Sequence, residues 1–477
     1  MMRKIQSKTK IVATVGPASS SKEVLEEMVR AGVDVFRINF SHSSYDEHEK
    51  IIQNIRAINE EQGFYIAILA DLQGPKLRIG DVENGMVVLE DGQDIEITTE
   101  EVIGNAQRLG VRYSSFVKDV KVGENVMIDD GKLLLQVSSK NGQSVTAKVL
   151  HGGELRSKKG LNLPNTKISL PCLTEKDLKD LEFALKMNVQ WIGLSFVRSA
   201  SDVLELKHII ASHKRKTRVV AKIEKPEAIE DIDNIIKATD AIMVARGDLG
   251  VEVPAKELPL IQKDIVKKCL KYSTPVIIAT QMMESMITSI HPTRAEVNDV
   301  ANSVMDGADA LMLSGETSVG KFPVKVIEAM QSIITHVESS ADIYNHEYPP
   351  EQERTEKFIS DSICYSACKV VQRTGAKAIL GMTHSGYTAF KLASHRPNAN
   401  IFVFTDNPGI LSMLNLVWGV RGFSYSKEIS TDHTIADIKY FLKKHGYIQE
   451  GDLIINIASI PLSEKGRTNM LKLSYVE

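Results

Sequence analysis

Three apolar runs end in groups able to do chemistry: Val219-Val220-Ala221-Lys222-Ile223-Glu224, Ala241-Ile242-Met243-Val244-Ala245-Arg246-Gly247-Asp248 and Val276-Ile277-Ile278-Ala279-Thr280. Short β-branched runs of this kind read as buried strands. Lys222, Glu224, Asp248 and Thr280 therefore stand where strands surface. Burying an ammonium and two carboxylates beside apolar strands costs several kcal/mol unless they pair or hold a metal. A divalent cation between Glu224 and Asp248, with Lys222 nearby, answers that cost, and oxygen ligands suit an octahedral Mg²⁺ or Mn²⁺. Lys222 and Glu224 are two apart and share one side of their strand. The competing reading is a buried ion-pair set of Lys222, Glu224 and Arg246. Gly247 lets a ligand approach the backbone beside Asp248, and Thr280 adds a hydroxyl.

Other strand ends carry charge as well. In Phe36-Arg37-Ile38-Asn39-Phe40-Ser41-His42, the residues Arg37, Asn39 and Ser41 alternate to one face. Arg37 can grip a phosphate or carboxylate bidentately, or pair with a carboxylate of a neighbouring strand; His42 alone says little. Asp71-Leu72-Gln73-Gly74-Pro75-Lys76-Leu77-Arg78 joins a carboxylate, a Gly-Pro hinge and two cations. Gly315-Glu316-Thr317-Ser318-Val319-Gly320-Lys321-Phe322 approaches a phosphate loop, but Phe322 cannot ligate Mg²⁺, so an ordinary loop and helix start are expected. In Thr383-His384-Ser385-Gly386-Tyr387-Thr388, hydroxyls and a glycine at a helix start make a phosphate site without a catalyst, suggesting an effector. Helix capping by the same hydroxyls is the alternative.

These groups need a scaffold. Apolar runs bounded by turn residues fall at Lys10–Val15, Val33–Asn39, Tyr65–Leu72, Gln190–Phe196, Arg218–Glu224, Ala241–Arg246, Pro275–Gln281 and Ala308–Ser314. Helical patterns lie between most of them, such as Ser21–Ala31 with a Ser20-x-x-Glu23 capping box, and Glu175–Met187 opened by Thr174-x-x-Asp177. Eight such units predict an α/β fold, a parallel (β/α)8 TIM barrel formed by 1–75 and 171–344. The segment 76–170 changes character: alternating runs are separated by Asn84-Gly85, Asp91-Gly92, Asp130-Gly131 and Asn141-Gly142, which are hairpin turns. It predicts an antiparallel β domain on the loop after strand three, at the face where barrel active sites lie, and hence a lid. After a polar linker, Asn345 to Glu351, helices alternate with strands Ala376–Met382, Asn400–Phe404, Val420–Tyr425, Asp452–Ala458 and Met470–Tyr475. Residues 345–477 predict a C-terminal open α/β domain with a regulatory role.

At 477 residues the chain exceeds one core. Its 58 basic and 61 acidic residues leave a net charge of −3, which offers nothing to nucleic acid or an anionic membrane. The basic run His213–Arg218 is expected to be a solvated loop. Four cysteines, at 172, 269, 364 and 368, form no Cys-x-x-Cys pair; Cys364 and Cys368 share a helix face and should pack in a core. The apolar stretch after the basic start is only Ile11 to Val15, and no 18-residue apolar run follows. A cytoplasmic location is the expectation.

The segments Phe36–His42, Ala221–Glu224, Met243–Gly250, Ala279–Met282, Pro292–Glu296, Ser157–Gly160 and Leu313–Thr317 resemble the signature segments of pyruvate kinase, in family order. The resemblance implies transfer of the phosphoryl group of phosphoenolpyruvate to ADP, giving pyruvate and ATP. It implies that Glu224 and Asp248 bind Mg²⁺, that Arg37 and Lys222 hold the phosphoryl group, and that Gly247 and Thr280 line the substrate pocket. Asn39, His42, Arg78 and Lys159 would contact the nucleotide, with a second Mg²⁺ entering with ADP. Many members carry Asp-Thr-Lys-Gly-Pro-Glu at strand three and need K⁺. Here Leu72 lacks the hydroxyl and Lys76 replaces the glutamate, so the lysine ammonium is expected to stand in for K⁺ and K⁺ not to be required. Thr383, Ser385, Gly386 and Thr388 match the effector loop, while Glu464 in Pro461–Arg467 adds negative charge where a bisphosphate would sit; some phosphorylated effector and a homotetramer are expected. Competing readings are a Mg²⁺-dependent aldolase, which gives the lid cations no purpose; a Schiff-base aldolase using Lys222; and a catalytically dead sensor.

Overall fold

The computed structural model describes residues 7–164, 166–340, 342–350, 357–427, 430–460 and 468–477. Eight strands, β1 (Lys10–Thr14), β2 (Val35–Asn39), β3 (Ala67–Asp71), β4 (Trp191–Leu194), β5 (Arg218–Ile223), β6 (Ala241–Ala245), β7 (Val276–Ala279) and β8 (Ala310–Leu313), close into one barrel, every neighbouring pair parallel. The β-branched runs are buried on both faces, as a sheet wrapped by helices requires. Ile11, Phe36, Ile192, Val219, Ile242, Ile278 and Leu311 pack outward against the helices. Val12, Val35, Leu69, Trp191, Val220, Met243, Ile277 and Met312 belong to a second cluster that continues into the C-terminal domain.

Each barrel strand is shorter than its apolar run, and at β4 and β7 the backbone shows why. The run Gln190–Phe196 is strand only over β4, and Pro275–Gln281 only over β7. Phe196 (φ 55°), Thr280 (φ 71°) and Gln281 (φ 54°) adopt the left-handed conformation, which cannot continue a strand. Asp248 also lies off its strand, in the first turn of a helix, Arg246–Glu252. The Lys22–Ala31 helix is capped by Ser21, whose Oγ accepts from Val24 N at 3.4 Å, in place of the predicted Ser20 box. Thr174 and Asp177 do form the predicted capping box.

After β3 the chain enters the inserted β domain, expected from the sequence to act as a lid. Its six-stranded sheet runs in the order Leu161–Asn162, Asn125–Ile128, Leu133–Lys140, Ser144–His151, Asp94–Thr98, Arg108–Gly110. All neighbours are antiparallel except the last pair, which is parallel because residues 99–107 carry the chain back to run beside Asp94–Thr98. Met86–Leu89 and Gly153–Arg156 make a separate two-stranded sheet. The C-terminal domain holds β9 (Ala378–Met382), β10 (Asn400–Thr405), β11 (Val420–Ser424), β12 (Leu453–Ala458) and β13 (Met470–Tyr475) in the order β11-β10-β9-β12-β13, with only β13 antiparallel. Arg396 joins this domain to the barrel, 3.0 Å from Asp309 and buried with it. Cys364 and Cys368 are buried on one helix, as their spacing predicts. Among the described residues no helix is long and apolar enough to cross a membrane.

Candidate active site

The strand-end groups meet at one mouth of the barrel. Lys222 sits at the end of β5, its ammonium 2.9 Å from Glu224 Oε1, 3.3 Å from Asp71 Oδ1 and donating to Ser195 Oγ at 2.7 Å. Asp71, the last residue of β3, turns its other oxygen to Arg37, with Nε at 2.7 Å and Nη2 at 2.6 Å. Arg37 Nη1 also donates to Thr14 Oγ1 at 3.0 Å. Glu224 Oε2 accepts from Phe196 N at 2.7 Å. Arg37, Asp71, Lys222 and Glu224, from β2, β3 and the end of β5, thus form one chain of charge.

The ion-pair alternatives are therefore real for Lys222 with Glu224 and for Arg37 with Asp71, but not for Arg246. Arg246 turns outward to Asp299, with Nη1 at 2.6 Å and Nη2 at 2.7 Å, and its Nη2 donates to Thr280 O at 2.8 Å. That bond pins the backbone where Thr280 is held left-handed. Thr280 Oγ1 donates to Ala279 O at 2.6 Å and accepts from Gly247 N at 2.7 Å. Asp248 faces the mouth from the next position, with Lys76 Nζ 3.4 Å from its Oδ1.

Burial and charge compete at these groups. Burial alone would raise the Asp71 carboxyl, but the charges of Lys222 and then Arg37 outweigh it and hold the group below the ordinary range. Burial would lower the Lys222 ammonium, yet Asp71 and then Glu224 drive it well above the usual lysine value. Lys222 is thus a fixed cation. An amine that must attack a carbonyl has to lose its proton, so this environment opposes the Schiff-base aldolase reading. Glu224 is pushed up by burial, held back by Lys222, and pushed up again by the nearby charge of Asp248.

A buried carboxylate whose proton affinity is raised by the charge of a second one nearby is what a divalent cation relieves. Their all-oxygen donor set fits a hard ion of the Mg²⁺ type. Among the described residues no group of three His, Cys, Asp or Glu is placed to hold a metal. A pair of carboxylates suits an ion that keeps oxygens of water and substrate.

The lid brings Arg78 and Lys159 together at its base. Ile79 N donates to Lys159 O at 3.0 Å, and Arg78 Nη1 to Lys158 O at 3.2 Å. The Lys159 ammonium pairs with Asp129 at 2.8 Å, within the lid. Asn39 shares the face of Arg37, its Oδ1 accepting from Ser41 N at 3.1 Å, and His42 is exposed. In the C-terminal domain, Thr383 Oγ1 accepts from Gly386 N at 2.9 Å, and Thr388 Oγ1 lies 3.2 Å from Thr468 Oγ1. Ser385 Oγ accepts from Tyr387 N at 3.4 Å. The hydroxyls of Thr383 and Ser385 thus accept from amides of the loop and the helix start, while the helix is capped by Gly386 with no side-chain cap bond; Pro461–Arg467 lies outside the described residues.

Three contributors escaped the sequence reading. Ser195 and Phe196 end the β4 run at the height of the other mouth residues, a signal that was available. Asp299 lies in the Arg294–Asp306 helix, and nothing in its spacing marks it as the partner of Arg246.

A closed parallel barrel with a β domain inserted after β3, and a mouth that gathers an ammonium, a guanidinium and carboxylates, is the architecture of a barrel enzyme suited to an anionic substrate and a divalent ion. Residues 6–327 match the family model for the pyruvate kinase barrel domain, and residues 361–474 that for the pyruvate kinase alpha/beta domain. A pyruvate kinase of Corynebacterium efficiens is 42% identical over 468 residues, covering 98% of this chain and 97% of that one. One of Geobacillus stearothermophilus is 40% identical, covering 99% of this chain and 81% of its own. A crystal structure of a pyruvate kinase from Cryptosporidium parvum superposes with a TM-score of 0.93 at 33% identity, over 99% of this chain and 97% of that one. The chain belongs to the pyruvate kinase family, and is a phosphotransferase.

Proposed function

We propose that the mouth catalyses transfer of the phosphoryl group of phosphoenolpyruvate to ADP, and that this enzyme does so without K⁺. The observation that carries the residue roles is the buried Lys222 ammonium, held between Asp71 and Glu224 beside Arg37. Phosphoryl transfer asks for positioning and charge neutralisation more than for covalent chemistry. The P–O bond to the enol oxygen breaks as a terminal ADP oxygen bonds to phosphorus, and the enolate then takes a proton on its methylene carbon. Lys222 and Arg37 neutralise the moving group. Glu224 and Asp248 hold a Mg²⁺ or Mn²⁺, which when bound supplies further positive charge to the substrate oxygens. Gly247 and Thr280 line the enolate side. Because the Thr280 proton is engaged by Ala279 O, its hydroxyl acts on the methylene side only after turning, or through water.

Asn39, His42, Arg78 and Lys159 receive the nucleotide as the lid, residues 76–170, closes on the barrel formed by 1–75 and 171–344. Lys159 must then exchange Asp129 for phosphate. The Lys76 ammonium near Asp248, together with Leu72 in place of a hydroxyl, supports a fixed charge in the role of K⁺. The C-terminal domain, 345–477, takes a phosphorylated effector at Thr383, Ser385, Gly386 and Thr388, in a cytoplasmic homotetramer. A coupled assay for pyruvate, with and without ADP, Mg²⁺ and K⁺, tests the core of this reading. Formation that requires ADP and Mg²⁺ but not K⁺ is expected; strong stimulation by K⁺ would overturn the role of Lys76. Cleavage of a 2-oxo acid without ATP formation would return the aldolase.

A further inference from the structure

Directly behind the two carboxylates assigned to the metal lies a second, buried pair of charges. Lys225 follows Glu224 in the chain, and Glu252 stands one helical turn beyond Asp248 in the Arg246–Glu252 helix. Lys225 Nζ donates to Glu252 Oε1 at 2.7 Å, with both side chains almost wholly buried. The pair thus ties the segment that carries Glu224 to the helix that carries Asp248. The same Oε1 accepts from Asn162 Nδ2 at 2.8 Å, and Asn162 belongs to the lid strand Leu161–Asn162. The lid meets this short helix at two more points. Lys76 reaches Asp248, and the Gly131 turn packs on Val251, close enough that an added Cβ would lie 3.7 Å from its Cγ1.

A buried ion pair rarely adds much stability over an apolar pair, but it holds one geometry, since either charge left alone is expensive. We propose that Lys225 and Glu252 are positioning residues: a staple that sets the separation of Glu224 and Asp248, and through Asn162 makes that separation depend on the lid. The inference rests on the metal role of Glu224 and Asp248. In this arrangement a docked lid favours the metal-binding spacing, and by reciprocity a bound metal favours the docked lid.

Binding of Mn²⁺ to the full-length enzyme without substrates, followed by electron paramagnetic resonance of the free ion, reads this without any turnover. Glu252→Gln keeps an oxygen for Asn162 but removes the charge facing Lys225. It is expected to raise the Mn²⁺ dissociation constant about tenfold, the scale on which outer partners of a metal site act. Asn162→Ala, which leaves the ion pair whole, is expected to raise it severalfold and to speed hydrogen exchange in the lid. A general folding defect would lower the number of sites and leave the constant of the remaining sites unchanged. Glu224→Gln serves as reference. If it too binds Mn²⁺ with unchanged affinity, the metal reading falls and the staple with it. If Glu224→Gln weakens binding while Glu252→Gln and Asn162→Ala do not, the staple alone is overturned. Should Glu252→Gln fail to fold, unchanged affinity in Asn162→Ala overturns the staple by itself.

Discussion

At the scale of single residues, Lys222 decides the chemistry because its charge cannot be lost. Asp71 and Glu224 hold its proton on well beyond the ordinary lysine range, so it meets the moving phosphoryl group as a permanent cation. Lys222→Met is expected to lower kcat by about 10²–10³, equivalent to about 3–4 kcal/mol of transition-state stabilisation if the ammonium acts like one preorganised donor. The KM for phosphoenolpyruvate should rise less, because Arg37 keeps its place beside Asp71. Steady-state kinetics check this, and a raised KM with kcat unchanged would show that Lys222 serves ground-state binding instead. The gathering of Lys222, Glu224 and Arg37 at the barrel mouth was legible because charged groups are rare at the ends of buried strands, whereas Asp248, read as a strand end, lies in a helix. Their partners were less so. Thr280 reads as one more strand residue, yet its left-handed backbone is imposed by Arg246, which grips its carbonyl from outside the strand pattern.

At the scale of elements, the Arg246–Glu252 helix matters most, and it was the least legible. Seven residues are too few for a periodic signal, and Gly247 and Gly250 disfavour helix on propensity alone. Tertiary bonds hold it: Arg246 to Asp299, Gly247 N to Thr280 Oγ1, Glu252 to Lys225. The barrel strands, by contrast, rest on local patterns of burial. Of the four predicted hairpin turns, Asp130-Gly131 and Asn141-Gly142 join paired strands, whereas Asn84-Gly85 lies in a short 3-10 turn and Asp91-Gly92 links strands of different sheets. Asp299→Asn tests the helix as a unit. It keeps the shape of the side chain but removes the charge from a bidentate pair, so a stability loss of about 1–3 kcal/mol is expected. A raised KM for phosphoenolpyruvate should accompany it, as Gly247 and Asp248 lose their fixed start. Urea midpoints and KM measure the two effects, and a stability loss with unchanged KM would mean that the helix holds its place without Asp299.

At the scale of the whole molecule, the C-terminal domain meets the barrel along a shared apolar cluster and several hydrogen bonds, and Arg396 supplies a buried ion pair to that join. Its guanidinium donates to Gly307 O at 2.7 Å, pairs with Asp309 and lies over the Trp418 ring at 4.8 Å. Arg396→Met leaves Asp309 buried without that partner and is expected to cost about 3–5 kcal/mol, read as a lower thermal midpoint. The neighbour of Arg396 makes the same join sensitive to acid. His395 is buried, and its backbone oxygen accepts from His346 N at 3.0 Å. Burial, then the charge of Lys391, pushes its imidazole down from 6.5 to about 4; His346 is lowered too, by burial and then Arg396. Because the folded value is depressed, the unfolded chain takes up the proton first as pH falls. The contribution of His395 is therefore whole above about pH 6.5, lost progressively between about 6.5 and 4, and amounts to something of order 3 kcal/mol. Asp71, whose value is also depressed, acts in a separate window, because its contribution is lost only below the ordinary carboxylate range. Urea unfolding at pH 7 and pH 5 should show the loss in the native protein, and His395→Gln, which cannot take up a proton, should flatten it. An unchanged pH slope in His395→Gln would place the acid sensitivity elsewhere. If the slope flattens, acid acts on the join between the two domains before it reaches the charges of the barrel mouth.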